Sequence, residues 1–161
     1  MRPDHALIAL ALVLASAAIA TRSEAYTPDA TILARTLVAE AGPHLVADHP
    51  AILHVLERRA ARVGSTAAEV ALRYASVHRA PQGEWGRTVR YASLLELAET
   101  APSVVAMAVA WTRGDKAADT CPGATHWGDG GRDRERAERA GWVRVRCTEP
   151  TANLFWREGR R

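Results

Sequence analysis

The sequence predicts a mainly α-helical protein with a small β element toward its C-terminal end, an α+β arrangement. Residues 28–113 are a succession of apolar stripes at helical spacing, punctuated by glycine and proline. Residues 115–131 change texture to Gly, Asp, Thr and Pro, and residues 142–148 then alternate apolar with polar, as a strand with one wet face does.

The first helix opens at Thr27-Pro28-Asp29, with Thr27 as N-cap, Pro28 at the first helical position and Asp29 complementing the dipole. It runs to about Ala41, and Gly42-Pro43 stops it. A second begins around Asp48-His49-Pro50, carries Ile52, Leu53, Val55, Leu56, Ala60 and Val63 on one side, and ends before Gly64. Thr66 and Glu69 form a capping box for a third, which continues through Val70, Tyr74 and Val77 to a loop at Pro81-Gln82-Gly83. One further helix is expected from about Val89 to Thr100, with Leu94, Leu95 and Ala98 on one side, and another from Ser103 to Arg113. Beyond Gly114 comes loop with a short strand at residues 124–127, a charged helix from Arg132 to Ala140, and the strand at residues 142–148, whose Val143, Val145 and Cys147 face inward.

Composition places the chain among ordinary globular domains: 161 residues, 48% hydrophobic and 24% charged. Ala6 to Ala20, however, is an uncharged apolar run following Arg2 and His5, and it leads to the small-residue sites Ala18-Ile19-Ala20 and Ser23-Glu24-Ala25. Residues 1–25 therefore read as a secretory signal peptide, because the run falls short of the roughly 20 residues a membrane anchor needs. The mature chain, residues 26–161, is expected to be exported, monomeric and without stable membrane insertion. In an oxidising compartment its two cysteines, Cys121 and Cys147, are most simply one disulfide; the alternative is two buried thiols.

The net charge is +3, with nine Arg against five carboxylates in residues 132–161. A basic exported surface suits an acidic polymer such as cell wall or anionic lipid. Nothing besides this basic tail argues for nucleic acid, and that partner is set aside.

Metal chemistry is not expected: His44, His49 and His54 are spaced by five residues, which does not align them on a helix, and no His-Glu-x-x-His motif occurs. A Gly-x-Ser-x-Gly elbow and phosphate-binding loops are also missing from the sequence, so no cofactor is called for. Glu40 stands out instead. At about 100° per residue, Leu33, Ala34, Leu37, Val38 and Ala41 share an arc of about 140°, and Glu40 lies about 20° outside it, on the rim of the buried face. It also sits in the last turn, where the helix dipole disfavours negative charge, with no Lys or Arg three or four positions away. Both features favour the protonated carboxyl that a general acid needs. A merely exposed Glu at a frayed helix end is the bland reading.

Three blocks then decide between them: Ala34-Arg35-Thr36-Leu37-Val38-Ala39-Glu40-Ala41-Gly42, the apolar helix ending Val55-Leu56-Glu57-Arg58-Arg59, and Gly123-Ala124-Thr125-His126-Trp127. In order and rough spacing they resemble the cell-wall hydrolase family that includes the spore-cortex-lytic enzymes, over about Thr31 to Trp156. The resemblance implies a lysozyme-like catalytic domain in residues 26–161, with Glu40 as the acid and Thr125, His126 and Trp127 facing substrate. The chain departs from the family in three places. Glu57-Arg58 stands where Asn-Arg closes the second helix, Pro81-Gln82-Gly83-Glu84-Trp85 replaces a Gln-Phe-Ser loop, and His126-Trp127 reverses an aromatic-then-His pair.

Trp supplies five of the nine aromatics, and Trp faces stack on sugar rings. Trp85 and Trp127, both in polar loops, suit a glycan groove, whereas Trp111 on an apolar helix suits the core. Glycoside cleavage ordinarily uses a second carboxylate, for which Glu57, Glu84 and Asp129 are candidates. Lytic transglycosylases avoid the need by letting the substrate's own 6-hydroxyl attack, with one Glu acting first as acid and then as base. The expected partner is the peptidoglycan glycan strand, cut between N-acetylmuramic acid and N-acetylglucosamine. A catalytically silent peptidoglycan-binding module is the alternative.

Overall fold

The computed structural model describes residues 27–159; the leader expected over residues 1–25 lies outside them. Helix α1 (Pro28–Ala41) is the hub. Thr27 caps it by accepting from the Ala30 amide, and Gly42, at φ 87°, ends it with its N–H on the Val38 carbonyl. Ala30, Leu33, Ala34, Leu37 and Val38 are fully or almost fully buried, as the spacing requires. Thr36 is buried too, because its hydroxyl donates to the Ile32 carbonyl and meets His78 Nε2. Each buried Leu here contributes about 1.5–3 kcal/mol.

Around α1 pack α2 (Asp48–Val63), α3 (Ala67–Tyr74), α4 (Ser76–Arg79), α5 (Gly83–Tyr91), α6 (Leu94–Thr100) and α7 (Pro102–Thr112). The capping box of α3 forms as its sequence requires, Thr66 accepting from the Glu69 amide and Glu69 from the Thr66 amide. Gly64 closes α2 in the left-handed region, at φ 63°, which its missing Cβ makes inexpensive.

Two of the expected helices are broken. The third does not run through Val77: Ala75 is extended, at ψ 136°, and α4 restarts at Ser76. The segment expected as one helix from Val89 is α5 and α6, separated at Ala92 and Ser93. Ser93 and Glu96 form a second capping box, and Arg35 Nε donates 2.8 Å to the Ala92 carbonyl, which takes that acceptor out of any continuous helix. Leu95, expected inward, is 63% exposed.

The β element is a three-stranded antiparallel sheet of β1 (His126–Gly128), β2 (Val143–Arg144) and β3 (Leu154–Arg157), with β3 in the centre. Helix α8 (Arg132–Arg139) follows β1. The strand expected at residues 142–148 shrinks to two residues, and Val143 is exposed because only Val145 and Cys147 reach the core. The central strand, β3, has no counterpart among the elements the sequence predicts. Cys121 and Cys147 form the disulfide. It ties the segment after β2 to the loop before β1, where the Thr148 amide also donates to the Thr120 carbonyl at 2.7 Å. Among the described residues no helix is long and apolar enough to cross a membrane. The result is a mainly helical domain with one continuous core and a small open sheet.

Candidate functional site

Glu40 emerges in the last turn of α1 and is fixed at both ends. Its main-chain carbonyl accepts from Asn153 Nδ2 at 3.0 Å, and Asn153 is itself held by buried Asp48, which also takes the amides of Ala152 and Asn153. At the other end, Oε1 accepts from the Ser76 amide at 3.3 Å and hydroxyl at 3.0 Å, and Oε2 accepts from Trp127 Nε1 at 3.2 Å. The break at Ala75 makes the first contact possible, since an N–H at the start of α4 has no partner within its own helix.

This carboxylate lines a cleft of about 550 Å³ together with His126, Trp127, Trp142 and Trp156. The His126 ring stacks on Trp142, with centroids 3.6 Å apart, and its Nδ1 lies 2.9 Å from Thr125 Oγ1. Burial, with the nearby positive charge of Arg59 second, lowers its pKa to about 4. His126 is therefore a neutral imidazole at neutral pH, able to donate or accept but not to act as a cation.

Arg58 and Arg59, consecutive near the end of α2, hold the strand that carries these groups. Arg58 Nε donates to the Ala124 carbonyl and its Nη1 pairs with Asp119; Arg59 Nε donates to the Thr125 carbonyl at 2.7 Å. The Arg59 guanidinium also lies over Tyr74 and Trp127, 5.2 and 5.7 Å from their ring centroids. Its pKa is lowered, chiefly by burial, yet a guanidinium keeps its proton, so it is a fixed positive pole over the Trp127 ring.

Of the residues singled out from sequence, Glu40, His126 and Trp127 come together here, while Thr125 and Trp85 do not line the cleft. The Thr125 side chain is buried, and its amide and carbonyl are taken by the Trp156 carbonyl and Arg59. Trp85 lies in the first turn of α5, not in a loop, because the helix already starts at Gly83. Trp111 is core, as its helix suggested, with Nε1 on Glu57 at 3.0 Å. That contact and Lys116 Nζ at 2.6 Å turn Glu57 to a different part of the molecule.

None of the three second-carboxylate candidates lines the cleft; Asp133 and Glu158 do, and neither was marked by any sequence motif. Asp133 accepts from the Asp129 amide, and Glu158 is paired with Arg62 at 3.0 Å. The three histidines that look clustered in sequence diverge. His49 is buried against the Gly42 carbonyl and Val46, and His54 bonds to the Ala117 carbonyl. No group of three or more possible metal ligands occurs among the described residues.

Comparison of the chain with family models, curated proteins and solved structures found no match.

Proposed function

We propose that this is an exported peptidoglycan-cleaving glycosidase of lysozyme-like type, acting as a lytic transglycosylase with Glu40 as its one acid and base. The observation that carries the reading is Glu40 itself: a carboxylate in a cleft with three tryptophans, oriented by uncharged donors from Ser76 and Trp127. The three-block resemblance supports it from the sequence. Trp127 and Trp142 offer faces for N-acetylated sugars, and His126 offers a neutral hydrogen-bonding edge.

In this mechanism protonated Glu40 gives its proton to the glycosidic oxygen as the bond from C1 of N-acetylmuramic acid breaks. The carboxylate so formed then takes the proton of that sugar's 6-hydroxyl as its oxygen bonds to C1, which closes an anhydro ring and restores the acid. Of the other two cleft carboxylates, Glu158 is ion-paired with Arg62, and Asp133 is the one a hydrolytic route would have to use.

Glu40→Gln tests the reading, because the amide keeps size and reach but has no proton to give. Folding should be preserved and digestion of purified sacculi should fall by at least about 10²-fold. An anhydro-muramic terminus in the wild-type products identifies intramolecular capture, and a reducing terminus identifies water. Normal digestion by the variant moves the acid elsewhere. Wild-type protein that binds sacculi and releases nothing is a silent binding module, a reading favoured by the three hydrogen bonds that Glu40 already accepts.

A further inference from the structure

The cleft around Glu40 is basic as well as aromatic. Four arginines line it, and two are committed: Arg59 to the Thr125 carbonyl and Arg62 to Glu158. Arg79 and Arg136 have no carboxylate partner among the described residues, and both are exposed. Arg79 follows Ser76 by three residues on α4, which puts it on the side of the helix that holds Glu40. Arg136 follows Asp133 by three residues on α8, and both line the cleft. The positive charge of Arg136 is felt at His126 and at Arg59.

Two elements distant in sequence thus each bring an unpaired guanidinium to one cleft. Glu40, Asp133 and Glu158 line the same cleft, but none lies within ion-pair distance of either guanidinium, so both keep their donors for an anion from outside. A neutral sugar polymer offers such groups only hydroxyl and amide oxygens, whereas a carboxylate accepts the planar fork through two parallel, charge-assisted bonds.

We propose that Arg79 and Arg136 bind a carboxylate carried by the glycan, so that the cleft selects an acidic saccharide bearing free lactyl carboxyl groups over a neutral N-acetylated one of equal length. The inference rests on the glycan-binding part of the reading above and is independent of catalysis at Glu40.

The test is calorimetric titration of the full chain, wild-type and Glu40→Gln, with three tetrasaccharides. One is an alternating N-acetylglucosamine and N-acetylmuramic acid oligomer with free carboxyls, the second is the same oligomer with those carboxyls amidated, and the third is chitotetraose. The acid form should bind at least about tenfold more tightly than the amide at low salt. The difference should narrow as salt is added. In the Arg79→Ala/Arg136→Ala double variant, acid and amide should bind alike, with the melting temperature and circular dichroism of wild type. Those two readouts separate lost recognition from damaged folding. Equal binding of acid and amide by wild type, no binding of either, or a preference that survives in the double variant overturns the inference. Sacculus cleavage is scored separately: cleavage without acid preference sinks this inference alone, and preference without cleavage sinks the catalytic reading alone.

Discussion

Trp127 Nε1 donates to Glu40 Oε2 at 3.2 Å, joining the middle of β1 to the last turn of α1 across 87 residues of sequence. The same indole ring faces the cleft and lies beneath the Arg59 guanidinium. One side chain therefore both orients the Glu40 carboxylate and forms part of the cleft wall.

Trp127 and Trp111 should respond differently to truncation. Trp127→Ala is expected to weaken glycan binding by about 1–3 kcal/mol. Trp111 is 3% exposed, so Trp111→Ala should instead destabilise the fold by about 3–5 kcal/mol. Glycan titration beside denaturant unfolding of both variants checks this, and equal stability losses with unchanged glycan affinity would assign Trp127 to the core.

His126 makes stability depend on pH. Its folded-state pKa of about 4 lies below the ordinary 6.5, so in that interval the unfolded chain binds more protons. Stability should be fully present above about 6.5 and decline as pH falls toward 4. Melting temperatures across this range should fall less steeply for His126→Gln; an identical slope in variant and wild type would rule out His126 as the source. His78, whose pKa burial also lowers, contributes in the same direction and accounts for part of the slope that remains.

The disulfide spans 26 residues, for which chain entropy gives about 3–4 kcal/mol. Reduction, or Cys121→Ser with Cys147→Ser, should cost about that much in denaturant unfolding and loosen residues 115–131 before the helices around α1. Hydrogen exchange reads the order of opening, and uniform loss of protection would contradict it.

Gly128 is required by the approach of α8. A Cβ there would sit 2.5 Å from Asp133 Cβ, an atom that no rotamer change can move. Gly128→Ala should destabilise by about 1–3 kcal/mol, and adding Asp133→Ala should not restore stability, since Cβ remains. Recovery in the double variant would show that the carboxylate, rather than the backbone approach, sets the limit.

Asp48→Ala leaves the Ala152 and Asn153 amides without their acceptor and frees the side chain that holds the Glu40 carbonyl. A loss of about 2–4 kcal/mol is expected, since each unsatisfied buried donor costs about 1–3 kcal/mol and part of that cost relaxes. Thermal unfolding measures it, and a change below about 1 kcal/mol would mean that water replaces the carboxylate.

The sequence by itself determined the helices whose ends are written locally. Thr27 with Pro28, Thr66 with Glu69, and Gly42 and Gly64 work within one helical turn, so their effect needs no partner. It also marked Glu40 as a residue on the rim of a buried face, and the cysteines as a pair. The capping box of Ser93 and Glu96 was equally local and legible, but the apolar spacing of Leu94, Leu95 and Ala98 read as one continuous helix. Only the tertiary structure decided the rest. β3 lies between β1 and β2 because of hydrogen bonds to segments far from it in sequence, which no periodicity of its own four residues announces. The cleft gained Ser76, Trp142, Asp133, Glu158 and Arg136, and it left out Thr125 and Trp85, for the same reason. A cleft is made of faces from separate elements, and which faces meet depends on how α1, α4, α8 and the sheet pack, a property of long-range contacts that local spacing does not carry.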